Sequence, residues 1–201
     1  MATIRGFAPS DIDAIYAIAL ETGLAGQDAS GLHSDGELIG HLYAAPYAVL
    51  EPEQTIVAVD DAGQTAGYIV GTFDTLLFNE QQERLWWPAL RARYAEPLSN
   101  KLTDADRQRI AAIHTQHQTP EALVEAYPAH IHMNLRASLR GQGVGTKLVQ
   151  QWITEARDAG VRGIHLGAND SNTGGVAFWT KSGFEVVQTV GTTIWFGMKL
   201  D

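Results

Sequence analysis

"SLRGQGVGTKLVQQW", residues 138–152, sets glycines at 141, 143 and 145 and then runs into an apolar series, Val144, Leu148 and Trp152, which Ala156 continues at helical spacing. The pattern predicts a helix whose first turn is preceded by backbone stripped of side chains. Such an N-terminus presents N–H groups without intrahelical partners and a partial positive charge, so it favours an anion, above all a phosphate. Two phosphate-binding patterns also follow a strand and open a helix. The nucleotide P-loop ends in Gly-Lys-Ser/Thr, whereas here Lys147 follows Thr146. The dinucleotide fingerprint needs a third glycine where Thr146 stands. The segment contains neither; it reads Arg-x-x-Gly-x-Gly, from Arg140, Gly143 and Gly145.

Upstream, "TIRGF" predicts a short strand and "SDIDAIYAIALETG" a helix with Ile12, Ile15, Tyr16, Ala19 and Leu20 on one face, Ser10 and Asp13 forming a capping box and Gly23 as its stop. After a Gly-rich polar stretch at 24–40, Thr55 to Val59 and Ala66 to Phe73 read as a hairpin turning near Gly63. Residues 79–128 change texture to helix, with Thr103 and Thr119 as caps and Pro88 and Pro120 suited to first helical positions. "AHIHMNL" restores the strand pattern before the glycine segment. "GIHLGA", "NTGGVAFWTKSG", "FEVVQTV" and "TTIWFGMKL" follow as strand, short helix and two strands. The order β-α, β-β, helices, β-α-β-α-β-β predicts an α/β fold with a mixed sheet in one domain.

Composition bounds the function. At 201 residues the chain is long enough for a core without disulfides, and it has no cysteine, which excludes thiolate metal sites and a cysteine nucleophile. A formal net charge of -9 makes nucleic acid a poor partner. No stretch approaches the ~18 apolar residues of a membrane span and the N-terminus lacks an apolar signal core, so a cytoplasmic location is expected.

The glycine loop resembles the coenzyme A pyrophosphate loop of the GNAT N-acetyltransferase superfamily, and "N…W-T-K-S-G-F" (Asn172, Trp179, Lys181, Gly183, Phe184) resembles that family's "N…Y-x-K-x-G-F". The resemblance implies a single GNAT-type domain over 1–201, with a mixed, mostly antiparallel sheet flanked by helices, a helical insertion at about 79–128 and a coenzyme-binding core at about 129–184. It further implies acetyl-CoA as cosubstrate, held by Leu135, Ala137, Arg140, Gly141, Gln142, Gly143, Val144, Gly145, Thr146, Asn172, Trp179 and Lys181. A narrower resemblance covers "GYIVGTFD" (67–74), "WWPALRARY" (86–94) and "PEALVEAYPAHIHMNL" (120–135). These resemble the acetyltransferase-like C-terminal domain of animal O-GlcNAcases, which suggests a free-standing bacterial relative with an intact coenzyme loop.

Family chemistry is direct attack of an amine on the thioester. The resemblance implies the backbone N–H of Leu135 as the donor that polarises the carbonyl. Strand alternation puts Ile131, Met133 and Leu135 on one face and His130, His132 and Asn134 on the other. His132 is the candidate base, against the alternative of a structural histidine, and Asn134 can orient substrate or water. A metal pair from His130 and His132 lacks a third ligand, and His114 and His117 read as a solvated helix face. Trp179 stands where many relatives carry a tyrosine acid, and indole cannot give a proton to a thiolate. Trp87, Leu90 and Tyr94 read as a core stripe, with a substrate wall as the alternative, and Arg84, Arg91 and Arg93 as surface charges, with recognition of an acidic acceptor as the alternative. The expected partner is a small-molecule or peptide amine, with no nucleic acid or membrane, and the chain a monomer or homodimer. An acetyl-CoA-binding or protein-interaction module with little transfer activity is the second reading, motivated by Trp179 and by the lack of a glutamate base on the strand.

Overall fold

A computed structural model describes residues 2–115 and 119–200. β1 (Thr3–Gly6) leads into α1 (Ile12–Glu21), α2 (Leu38–Tyr43) and α3 (Ala45–Leu50); β2 (Ile56–Val59) and β3 (Thr65–Thr72) form the expected hairpin. Four helices follow: α4 (Thr75–Leu85), α5 (Trp87–Arg93), α6 (Asp104–Thr115) and α7 (Glu121–Ala126). The chain then continues through β4 (Ala129–Leu135), α8 (Val144–Asp158), β5 (Gly163–Asn169), α9 (Thr173–Lys181), β6 (Glu185–Val190) and β7 (Thr193–Lys199). The sheet has seven strands in the order β1-β2-β3-β4-β5-β7-β6, antiparallel except between β4 and β5. The element order predicted the mixed α/β sheet, and its mostly antiparallel pairing is what the resemblance implied.

Its two faces are packed differently. Val144, Leu148, Trp152 and Ala156 of α8 are buried with Ile131, Ile164 and Phe196, and the Trp152 indole N–H also donates to the Gln54 carbonyl at 2.8 Å. The opposite face holds Ile15, Ile18, Tyr47, Tyr68 and Phe78 beneath α1, α3 and α4. Trp87, Leu90 and Tyr94 are buried against Leu38, Ile110 and Ile113, as the stripe predicted. Arg91 meets Glu83 through two bonds of 2.9 and 3.0 Å, and Arg93 pairs with Glu37 at 2.7 Å. Both are therefore committed within the helical layer.

Two buried carboxylates tie the layers together. Thr103 and Asp106 make a reciprocal capping box at the start of α6, the Thr103 hydroxyl accepting from the Asp106 N–H and the Asp106 carboxylate from the Thr103 N–H. The same carboxylate also accepts from His33 Nδ1 at 2.8 Å, the Ser34 N–H at 3.0 Å and the Ser34 hydroxyl at 2.5 Å. Asp106 thus clamps the α1–α2 connection onto α6. At the other end, Asp11 accepts from Arg5, Thr65 and the Ala8 N–H. This corrects the expected start of α1: Asp11, not Ser10, carries the bonding there. Thr119 is likewise not a cap, since Pro120 occupies the N-cap of α7 without a side-chain bond.

The Arg5 guanidinium, with help from Thr65 and Ala8, holds the Asp11 carboxyl down from its ordinary 3.8 to about 2. Stabilisation from a depressed carboxyl is full above its unfolded value and is lost as pH falls through the folded one. Denaturant titrations should therefore show wild-type stability falling between about pH 4 and pH 2, with a shallower fall in Asp11→Asn. Asp106→Asn should lose at least about 2 kcal/mol at neutral pH, because the amide must turn an NH2 toward donors that need an acceptor.

Candidate functional site

The site follows from how β4 is paired. Its register against β3 runs from Thr72↔His130 to Gly67↔Leu135, and the Arg136 N–H donates to the Ala66 carbonyl at 2.9 Å. Antiparallel alternation then turns the N–H and C=O groups of 130, 132 and 134 toward β3 and those of 131, 133 and 135 away from it. On that far side β5 pairs with β4 only at Ala129↔Ile164 and His130↔His165. Beyond those two positions the strands diverge. The Leu135 N–H consequently points into the opening, where an extended ligand can add as a strand and a carbonyl can be polarised.

The glycine segment closes one end of this opening. Gly143, at φ 75°, is the N-cap of α8, and Gly141 has the same φ. A Cβ at either would meet nothing within 4 Å, so both combine left-handed backbone with open space in front of the helix N-terminus. Gly145 serves a different purpose. A Cβ there would lie 3.3 Å from both Leu135 and Phe178 and 3.4 Å from Met133, so its absence lets the first turn of α8 press against β4 and α9. Val144 and Gly145 are buried, while Gln142 and Thr146 are exposed along with Gly141 and Gly143. The loop fits a diphosphate: charge-compatible backbone donors, unobstructed, beside an opening of strand-like polarity.

The other expected residues distribute around it. Arg140 donates to the Leu135 carbonyl at 3.2 Å and to the Gly26 carbonyl at 2.6 Å, joining the strand end to the turn after α1. Ala137 opens a 3-10 turn between β4 and the loop. Asn172 is the N-cap of α9, accepting from the Gly175 N–H at 2.9 Å, and lies next to Gly26. Lys181 is exposed at the far end of α9. Trp179 is buried in the core, edge-on to Phe178 and Phe184.

On the opposite face, His130, His132 and Asn134 point toward α1–α3, as alternation predicted. The bonding of His130 fixes its tautomer. The Pro128 carbonyl can only accept, so the Thr75 hydroxyl donates to it at 2.7 Å and accepts in turn from His130 Nδ1–H at 2.7 Å. Nε2 then takes the Tyr47 hydroxyl proton at 2.7 Å. With both nitrogens engaged, His130 has no lone pair for a metal. His165 donates from Nδ1 to the Tyr127 carbonyl at 2.6 Å. His132 has no hydrogen bond among the described residues. No buried side-chain nitrogen or oxygen there lacks a partner, so the His132 ring nitrogens reach open space.

Asn134 is oriented too. The Thr22 hydroxyl gives its proton to the Ile18 carbonyl at 2.6 Å, so the atom of Asn134 that bonds Thr22 is the amide nitrogen, leaving Oδ1 as a free acceptor. The sequence reading missed Tyr43 and Tyr47, which flank His132, the first tilted and the second edge-on, with ring centroids 6.1 and 5.4 Å away. Both lie in α2 and α3, helices left unassigned in the sequence; the apolar spacing of Leu38, Leu42 and Tyr43 with Pro46 in the first turn of α3 was the available signal. His114 donates to the Tyr94 carbonyl at 3.1 Å from an exposed position, and His117 lies outside the described residues.

Against this geometry, a family model described as "Acetyltransferase (GNAT) family" matches residues 21–184. A crystal structure of a protein named SsHAT is 32% identical over 98% of each chain, with a TM-score of 0.90. An N-acetyltransferase from Staphylococcus aureus Mu50 is 16% identical over 100% of this chain and 99% of its own, at TM-score 0.57. The yncA protein from Salmonella typhimurium, solved with its cofactor acetyl-CoA, is 15% identical over 100% and 95%, at TM-score 0.59. These last two share the fold.

Burial, with the neighbouring His165, pushes the His132 imidazole down from 6.5 to about 4, and burial also lowers His130 and His165. Groups that stay neutral when folded but take protons when unfolded stabilise the protein above their unfolded value, and that stability is lost as pH falls toward the folded one. Stability should therefore decline from about pH 6.5 toward pH 4, and His132→Asn should reduce the slope in that window by about one proton. Ring-proton NMR should find His132 neutral at pH 6.

Proposed function

The chain belongs to the GNAT acetyltransferase family, and from that premise we propose that it moves the acetyl group of acetyl-CoA directly onto the amine of a small molecule or peptide, using the opening between β4 and β5. The observation that carries this reading is the divergence of the two strands with the glycine loop at its mouth. In it, the diphosphate of acetyl-CoA lies against Arg140, Gly141, Gln142, Gly143, Val144, Gly145 and Thr146. Its extended arm runs along Leu135 and Ala137 past Asn172 at the start of α9, with Trp179 behind that helix in the core and Lys181 exposed at its far end for the outer part of the coenzyme.

The amine nitrogen forms the new C–N bond while the C–S bond breaks, and the Leu135 N–H meets the negative charge developing on the carbonyl oxygen. His132 takes the amine's proton. A ring with a pKa near 4 is a weak base but is neutral across the physiological range, and its nitrogens are free of internal partners. Asn134 Oδ1 accepts an amine N–H and holds the nucleophile. The coenzyme thiolate is protonated from water, because the indole of Trp179 packs in the core and offers no transferable proton. The whole chain reads as one domain of this family, with 79–128 inserted. The resemblance of 67–74, 86–94 and 120–135 to the acetyltransferase-like domain of animal O-GlcNAcases is our ground for placing it among free-standing bacterial relatives of that domain, and a composition without cysteine fits a cytoplasmic site of action.

Gly143→Glu should abolish acetyl-CoA binding by calorimetry, through bulk and like charge, and should cost about 1–2 kcal/mol of stability from the left-handed backbone at that position, too little to unfold the domain. His132→Ala should retain binding and lose at least about tenfold in turnover, read as thiol release over a panel of amines. Tight binding with no acetylated amine in any sample would instead identify a binding module.

A further inference from the structure

The hydrogen-bonding character of the cleft changes from one end to the other. At the β4 end, Asn134 Oδ1 and the His132 ring present acceptors, for the reasons given above. At the α6 end the polarity is reversed. Arg109, half-buried on α6, donates from one guanidinium nitrogen to the Tyr43 hydroxyl at 3.2 Å and lies over the Tyr43 ring at 5.7 Å. Since Tyr43 accepts that bond, its own O–H proton remains available. Arg109 meets no carboxylate among the described residues, unlike Arg91, Arg93 and Arg136, each of which is paired with a glutamate. A half-buried guanidinium and a tyrosine hydroxyl thus form a set of unspent donors with net positive charge. The Tyr43 ring connects this set to His132, 6.1 Å away.

We infer that the acceptor of this site is an amine that also carries an anionic group, its nitrogen at His132 and Asn134 and its anion at Arg109 and Tyr43. The inference rests on the transferase reading for which end reacts, but the two-ended polarity is independent of it. Acceptors suit an amine, which brings N–H donors; the planar fork of arginine with an adjacent O–H suits a carboxylate or phosphate. The Tyr43 ring centroid lies 6.1 Å from the His132 ring and 5.7 Å from the Arg109 guanidinium carbon, a spacing that an ω-amino acid or aminoalkyl phosphate can span. Arg109 acts as a specificity determinant and takes no part in acyl transfer.

The test is calorimetry of the full chain saturated with coenzyme A, using γ-aminobutyrate, ε-aminohexanoate, their amides, phosphoethanolamine and ethanolamine. At least one acid, or the phosphate, should bind about tenfold more tightly than the corresponding neutral amide or ethanolamine. Which one does so distinguishes carboxylate from phosphate. Arg109→Gln should erase that preference, and Arg109→Lys should keep part of it, while coenzyme A affinity stays unchanged in both as evidence of an intact fold. Equal affinity for charged and neutral probes in the wild type, no binding by any probe, or an undiminished preference in Arg109→Gln would overturn the inference. Discrimination in binding without acetylation would uphold it and refute the transferase reading. Turnover confined to neutral amines would do the reverse.

Discussion

After Ala129↔Ile164 and His130↔His165 the parallel pair of β4 and β5 parts, although β4 stays in register with β3 along its whole length. A strand held on one edge only keeps its conformation while exposing the N–H and C=O groups of alternate residues on the other, which buried backbone cannot leave unmet. The rest of the architecture is arranged to maintain that gap. On one face the first turn of α8, brought in by Gly145, and Phe178 of α9 press on Met133 and Leu135. On the other, Tyr47 and Thr75 hold the first histidine of β4 from both ring nitrogens, fixing the strand at the point where the divergence begins.

The polar groups around the gap are sorted by whether they are already committed. His130 and His165 are locked in single tautomers by neighbours, and Arg136 is bound by two bonds to Glu21. Among the described residues, His132, Asn134 Oδ1 and most of the Arg109 donors have no such partner. A buried group with an internal partner stabilises the fold; one left reaching open space has a desolvation cost that only an incoming ligand offsets. The Asp106 clamp makes this sorting dependent on the helical segment after β3, because it fixes α6 against the α1–α2 connection and so holds Arg109 over Tyr43.

Much of the candidate site was legible in order along the chain. Glycines 141, 143 and 145 before the Val144–Leu148–Trp152–Ala156 stripe announced the loop and helix, and alternation in "HIHMN" assigned the two faces of β4 correctly. What escaped were α2 and α3, hidden by their shortness and by the small and aromatic residues in "LIGHLYAAPYAVL", where six-residue helices give too few turns for a periodic signal. With them went Tyr43 and Tyr47. The start of α1 was misplaced by a residue because Asp11 bonds to Arg5 and to Thr65, the latter 54 residues away, partners that no local capping pattern contains.

By itself the sequence determined the order of the strands, the loop that can meet a diphosphate and the apolar faces that bury α8 and α5, since these depend on spacing within a few turns of chain. Only the tertiary structure decided which polar groups remain unspent. Whether a histidine nitrogen or an asparagine oxygen is free depends on partners from distant segments: Thr75 and Tyr47 for His130, Thr22 for Asn134, and Tyr43 for Arg109. Hydrogen-bond satisfaction is a property of neighbours in space, so the chemistry of the cleft is set where six separate segments meet.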